Sequence, residues 1–258
     1  PYAQKPAHDL ACEAIAGILS INQGSDKKPA IPGIAGADML SSMMTLSALL
    51  MALYRRTTTG VGDYIDVSMA DSLIAAVPNN MGSVFADKTP PVLSNERALG
   101  GYAMYQIYET LDHRHIALGG SEIHFAEAVL NKLGRPDLLD LCKSPPGPQQ
   151  DLVKQFLTET FKGKEQSYWV EQFEGVNAAF APVKNLREAA DDIQIRHREM
   201  IVEDANGLEH IGIPMKFLGE PGELKFKYAE VGQHTREILS QLGYSISEQD
   251  AMREGGVF

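Results

Sequence analysis

Cysteine is scarce. The 258 residues contain two, Cys12 and Cys142, far apart and in neither a C-x-x-C nor a metal-ligand spacing, so neither a disulfide framework nor a structural zinc is expected. A reducing, cytoplasmic location is the default expectation. Basic residues are also short: 23 Lys and Arg face 34 Asp and Glu, for a net charge of -11 and a pI near 5.1. That balance excludes nucleic-acid roles that depend on a basic footprint. The shortage is not uniform. Residues 1–60 hold Lys5, Lys27, Lys28, Arg55 and Arg56 against Asp9, Glu13, Asp26 and Asp38, so the first part of the chain can accept a small phosphorylated ligand, while the acidic remainder reads as solubilising surface.

Other absences narrow the field further. The opening PYAQKPAHDL has no initiator Met, no basic n-region and no apolar h-region. The longest run without charge, residues 39–54 (MLSSMMTLSALLMALY), is shorter than the ~20 apolar residues of a spanning helix and is interrupted by Ser and Thr. It is expected to be a buried core helix, and no membrane partner is expected. Gly60-Val61-Gly62 lacks P-loop spacing, and there is no G-x-S-x-G and no H-E-x-x-H. His113 and His115 form an H-x-H without a third ligand in view, so no metal is expected.

What is present is an ordinary globular composition, 44% hydrophobic and 22% charged, enough for one large or two modest domains. Apolar spacing predicts a helix over 9–20, a loop over 22–33 and a long helix over 39–56 whose apolar positions surround it, hence buried. A strand over 64–69 and a short helix ended by Pro78 follow. The Pro- and Asn-rich stretch 78–101, closing on Gly100-Gly101, marks a domain junction. Beyond it the pattern predicts a hairpin turning at Leu111-Asp112 and helices over 122–133, 150–161, 165–175 and near 185–192. A second hairpin should turn at Asn206-Gly207 with both central residues at positive φ. The tail holds a strand-like LKFKYA, one helix, and a last one after Ser247, which with Asp250 resembles a capping box.

Asp38 is the most informative polar residue, an acid at the mouth of an uncharged helix. It can be an N-cap, or a carboxylate nucleophile held ionised and oriented by the same helix terminus. His8-Asp9 precede the first helix and Glu122 opens the helix behind Gly119-Gly120. Each suits a helix start, and His8 and Glu122 could equally carry protons next to a carbonyl.

Several stretches, in order, resemble the family III CoA-transferases of the CaiB/BaiF type, which include the α-methylacyl-CoA racemases. They are PYAQKPAHDL with AIAGIL, ADMLSSMMTLSALLMALYRR, TGVGDYIDVSMADS, LGGYAMYQIYETLDHRHIALGGSE, and GQHTREILSQLGYS with the terminal GGVF. The resemblance implies an α/β fold: a Rossmann-like large domain, incomplete here, with a smaller α+β domain. Residues 1–85 would be the helical part of the large domain, 86–214 the linker and small domain, and 215–258 the return to the large domain. It implies an interlocked homodimer, and because PYAQ matches the middle of the family pattern, the chain is expected to be a fragment or one piece of a split protein whose partner supplies the N-terminal segment.

In function, the resemblance implies transfer of coenzyme A between an acyl-CoA and a carboxylic acid. Asp38 matches the aspartate that forms an anhydride and then an aspartyl-CoA thioester. Lys5 matches a lysine near the CoA phosphate, and Gly100-Gly101 match a mobile glycine loop covering the intermediate, with N–H groups toward an oxyanion. The racemase alternative keeps His8, Asp38 and Glu122, but racemases follow the aspartate with a glycine-rich turn, which Asp38-Met39-Leu40-Ser41-Ser42 lacks, so the transferase is favoured. A third reading makes the chain a noncatalytic subunit of a split enzyme.

Overall fold

Gly17, at φ +81°, divides what the pattern at 9–20 predicts as one helix into α1 (Asp9–Ile15) and α2 (Ile18–Ile21). A left-handed residue cannot continue a right-handed helix, and glycine takes that conformation without a steric penalty. The computed structural model describes residues 2, 4–24 and 26–258. Their contacts form two compact units, Pro1–Val183 and Lys184–Phe258.

The first unit begins with a corner of helices in which α3 (Gly36–Thr59) and α4 (Met69–Ala75) pack with α1. Its buried apolar residues are Cys12, Ala37 and Leu73. The long helix departs from expectation twice. It runs from Gly36 to Thr59 and, at 24 residues, is long and apolar enough to cross a bilayer by length and composition, which the shorter uncharged run did not indicate. Nor is it a buried core helix. Ala37 is its one buried residue, and Met39, Met43, Leu46, Leu50, Met51 and Tyr54 are all exposed, because the short helices α1 and α4 that pack on it cover little of its length. The strand expected over 64–69 joins no ladder among the described residues, and Met69 already begins α4. LKFKYA at 224–229 joins none either, and Lys227 N donates to the Lys225 carbonyl at 2.9 Å in a tight turn; alternation alone makes a strand only where a partner edge completes its hydrogen bonds.

After the short α5 (Gly82–Ala86) the unit changes character. Strands β1 (Tyr105–Glu109) and β2 (His115–Gly119) pair antiparallel with Ile107 opposite Ala117. Their connection closes through Thr110 N–H to the Arg114 carbonyl at 2.9 Å, with His113 at φ +58°. Helices α6 (Ile123–Lys132), α7 (Leu139–Cys142), α8 (Asp151–Phe161) and α9 (Gln166–Gln172) follow. A third strand, β3 (Phe180–Pro182), completes the sheet in the order β1-β2-β3. The main core lies here: Met104, Tyr108, Ile116 and Leu118 from the sheet side meet Val129, Leu130, Val153, Leu157 and Phe161 from the helices. Two of its polar groups are satisfied internally, as burial demands. The Tyr108 hydroxyl donates to the Ala103 carbonyl at 2.7 Å, and Trp169 Nε1–H donates to the Phe161 carbonyl at 2.8 Å. Burial pushes the Cys142 thiol up to about 11.

The second unit holds α10 (Leu186–Ala190), α11 (Ile193–His197), a hairpin of β4 (Ile201–Glu203) and β5 (Glu209–Ile211), then α12 (Thr235–Gln241) and α13 (Ile246–Glu254). The hairpin turns where expected, but only Gly207 has positive φ. Asp204 organises the turn instead, its Oδ1 accepting from Asn206 N at 2.8 Å and Leu208 N at 3.0 Å. The capping box of α13 is Ser245 with Glu248, two residues earlier than Ser247 with Asp250.

Candidate active site

The first amides of a helix have no partner inside it. At the start of α3 the N-cap position is Ala35, which has no side chain to serve them. The acceptors come from α1. Asp9 and Glu13, four residues apart, share one face of that helix. Glu13 Oε1 accepts from Gly36 N at 3.1 Å, and Asp9 Oδ1 accepts from Ala37 N at 2.8 Å and Asp38 N at 3.1 Å. Gly36 permits this approach, since a Cβ there would stand 2.6 Å from Glu13 Oε1.

Asp38 is therefore not the N-cap. It is the third residue of α3, and the capping is done for it by another helix. Its side chain is exposed, and its carboxylate accepts no hydrogen bond among the described residues. Its carbonyl accepts from Ser42 Oγ at 2.7 Å and Ser41 Oγ at 3.2 Å. The sequence had marked Asp38, while the supporting roles of Asp9 and Glu13 were visible only as an i,i+4 pair of acids.

His8 is the N-cap residue of α1, with extended backbone and no capping hydrogen bond from its side chain. The contact of α1 with α3, tied by Asp9, brings the ends carrying His8 and Asp38 into the same corner. His8 also borders an open, mostly apolar hollow with Pro6, Leu10 and Ala14, of 530 Å³. Lys5 precedes this corner, exposed, its Nζ 4.0 Å from the Tyr2 ring centre.

Gly100, Gly101 and Glu122 belong to the sheet module. No hydrogen bond or ion pair joins them to His8 or Asp38 among the described residues. Gly100 sits at φ +93° after a 3-10 turn, Arg97–Leu99, a conformation that requires little of glycine and much of other residues. Gly101 is buried, and its N–H donates to the Glu96 carbonyl at 2.9 Å while its carbonyl accepts from Gly147 N at 2.9 Å. Both of its backbone groups are thus committed to the protein's own loop, and the Gly101 N–H does not face an open oxyanion position in this conformation. Glu122 is exposed, and its side chain makes no cap on α6. His113 pairs with Glu109, Nδ1 to Oε1 at 2.7 Å. No cluster of three or more His, Cys, Asp or Glu suited to a metal ion occurs among the described residues.

The family model for CoA-transferase family III matches residues 1–235. The chain belongs to that family. Among curated relatives of this family III chain, human succinyl-CoA:glutarate CoA-transferase is 25% identical over 257 residues, covering 94% of the chain and 57% of the relative. Human alpha-methylacyl-CoA racemase is 27% identical over 263 residues, covering 96% and 65%. A solved CAIB/BAIF family protein from Brucella suis superposes with a TM-score of 0.73 at 20% identity, over 94% of this chain and 64% of that one, which establishes the α/β fold of the family. The chain spans less than two thirds of the length of these relatives.

Proposed function

We propose that this family III chain carries the catalytic aspartate of a CoA-transferase. The observation that supports it best is the first turn of α3. Three consecutive amides there are held by side chains from α1, and Asp38 presents an exposed carboxylate from that fixed turn. A carboxylate presented from a fixed turn is oriented for attack on an acyl carbon.

In the proposed reaction the Asp38 carboxylate attacks the thioester carbonyl carbon of an acyl-CoA. The C–S bond breaks, CoA leaves as the thiolate, and an acyl-aspartyl anhydride remains. The thiolate then attacks the Asp38 carbonyl carbon and expels the donor carboxylate, leaving an aspartyl-CoA thioester. An acceptor carboxylate reverses these two steps, departing as the new acyl-CoA and restoring Asp38. No water or net proton is consumed, so exclusion of water from the anhydride is the main demand on the surroundings. Acyl-CoA is a substrate here, with Lys5 proposed near its phosphates. The name of the human transferase makes succinyl-CoA with glutarate the first pair to try.

The second reading, an acyl-CoA racemase, is supported by His8, which shares the corner of Asp38 and borders an apolar hollow suited to an acyl chain. It would move the α-proton between His8 and Asp38, with Glu122 assisting. Incubation of the complete protein with succinyl-CoA and glutarate, and separately with a 2-methylacyl-CoA in deuterium oxide, followed by mass spectrometry, distinguishes the readings. CoA exchange that disappears in Asp38→Asn supports the transferase; α-deuteration that disappears in His8→Ala supports the racemase. Near-normal exchange in Asp38→Asn refutes the assignment of Asp38 as nucleophile.

We further propose that the working unit is not this chain as a monomer. The exposed apolar face of α3 and the two strand-patterned segments that join no ladder among the described residues support a second copy, in an interlocked homodimer, or a chain carrying the preceding segment; contiguous apolar surface of this kind is seldom left in water. In that assembly residues 1–85 and 215–258 would build the Rossmann-like domain and 86–214 the smaller one. A monomer by sedimentation that binds CoA at micromolar affinity contradicts this, and absence of both binding and exchange in every assembly would leave the noncatalytic-subunit reading.

A further inference from the structure

One charged side chain lies inside the corner formed by α1, α3 and α4. Glu13 is 1% exposed, and the other buried residues of the corner are Cys12, Ala37, Ser72 and Leu73. Its Oε1 accepts from Gly36 N, and its Oε2 accepts nothing among the described residues. A buried polar atom left without a partner is destabilising, and an apolar residue of similar volume often replaces a buried charge at no loss of stability. Packing alone therefore does not account for a glutamate at this position.

What an apolar residue could not supply is the acceptor. Gly36, Ala37 and Asp38 present three successive unpartnered amides, and Glu13 takes the first while Asp9 takes the next two. With Asp9 alone the turn would be held on one side only. The fit between Glu13 and residue 36 is tight: a Cβ there would meet Oε1 at 2.6 Å, so any side chain at 36 would push the Glu13 carboxylate from its place, while Leu73 Cδ2 at 3.8 Å would be an ordinary contact. Glu13 and Gly36 act as a matched pair, a buried acceptor and the one residue that lets the helix start come down onto it. The carboxylate is attached to α1, the helix that also begins beside His8.

We propose that Glu13 is a positioning residue for Asp38: its buried carboxylate fixes the first turn of α3 against α1, and so sets the angle at which Asp38 meets the thioester carbonyl. This rests on the reading of Asp38 as the nucleophile. A nucleophile displaced by about 1 Å from its attack geometry loses on the order of 100-fold in rate, whereas substrate affinity, set by other contacts, need not change.

The test uses the complete protein, with succinyl-CoA and glutarate as substrates, and four variants. Glu13→Met removes the acceptor but keeps the volume; Glu13→Gln keeps an oxygen for the Gly36 amide. Gly36→Ala disturbs the same contact from the other side, and Asp38→Asn is the control. Glu13→Met and Gly36→Ala are expected to lower kcat at least tenfold per folded molecule, with the KM for acyl-CoA within about twofold, and Glu13→Gln to restore most of kcat. A thermal melt of each variant gives the folded fraction. If Glu13→Met does not fold, Gly36→Ala against Glu13→Gln carries the comparison. Unchanged kcat in Glu13→Met or Gly36→Ala, or a Glu13→Gln variant as slow as Glu13→Met, overturns the proposal while Asp38→Asn still reports on the nucleophile. Full turnover in Asp38→Asn overturns both.

Discussion

Replacing Gly101 with alanine tests whether the glycine pair is a kinetic cover or a packed part of the scaffold. A Cβ at Gly101 would lie 2.6 Å from the Glu96 carbonyl oxygen and 3.0 Å from two backbone carbons, those of Asn95 and Glu96. None of these is the end of a flexible side chain, so the methyl cannot be absorbed by a rotamer change. The same loop is closed by the Gly101 N–H bond to Glu96, and Gly101 holds Gly147 through its carbonyl. Overpacking of this kind costs about 1–3 kcal/mol, and weakening one of those hydrogen bonds adds about 1 kcal/mol. The expected loss is therefore about 2–4 kcal/mol, or roughly 4–16 °C in Tm for a unit of this size. Gly134 provides the reference: it has φ +72° but nothing within 4 Å of its Cβ position, so Gly134→Ala should cost only the left-handed penalty of about 1–2 kcal/mol. Urea unfolding of the two variants beside the parent, followed by circular dichroism, measures both. A Gly101→Ala midpoint equal to the parent's, or higher than that of Gly134→Ala, would refute the packing argument and return the pair to the role of a mobile loop.

Asp9→Ala should destabilise the helical corner by about 0.5–2 kcal/mol, because two α3 amides lose their acceptor, with Asp9→Asn milder since its amide oxygen still accepts; a melt of Asp9→Ala matching the parent counts against the capping described here. Hydrogen bonds from Arg187 and Arg196 hold the Glu209 carboxyl down to about 2. A depressed carboxylate pKa contributes stability above its unfolded value, near 4.5, and loses it as pH falls toward 2. Acid unfolding of the second unit should thus shift to higher pH in Glu209→Gln, and an unchanged acid transition would show that this exposed cluster contributes nothing. The Cys142 thiol, buried and pushed up to about 11, should resist iodoacetamide at pH 8 until the protein unfolds; rapid alkylation of the native chain at Cys142, located by peptide mapping, would contradict its placement in the core.

Elements whose signals are local were legible. The β1–β2 hairpin followed from alternation on either side of a polar turn, and α6 and α8 from apolar spacing to within a residue, while α9 ends three residues before the expected 175. What escaped depends on partners distant in the chain. Strand β3 ends in Pro182, was not expected from the pattern, and is a strand because it lies at the sheet edge opposite Ile116, where proline is tolerated. The burial of α3 was inferred from its composition, but composition cannot say whether the covering layer lies within the same chain. At the candidate site Asp38 was found on the correct helix and given the wrong position in it, since the groups that cap α3 come from Glu13 and Asp9, 23 to 29 positions earlier. The i,i+4 pairing of Asp9 with Glu13 was the available clue, and it pointed equally to a solvated face.

The uneven distribution of buried apolar residues, a large cluster in the sheet module and only Cys12, Ala37 and Leu73 in the helical corner, sets how the first unit opens. Amides in β1, β2 and α8 sit over the main core and should exchange with solvent hydrogen only when the whole module unfolds, whereas those of α1 and α4 can exchange through local opening of the corner. Warming the isolated chain would then disorder the segment that carries Asp38 while the sheet remained native. Fluorescence of Trp169, the single tryptophan and part of the main core, would report an intact protein well after the turn presenting Asp38 had been lost.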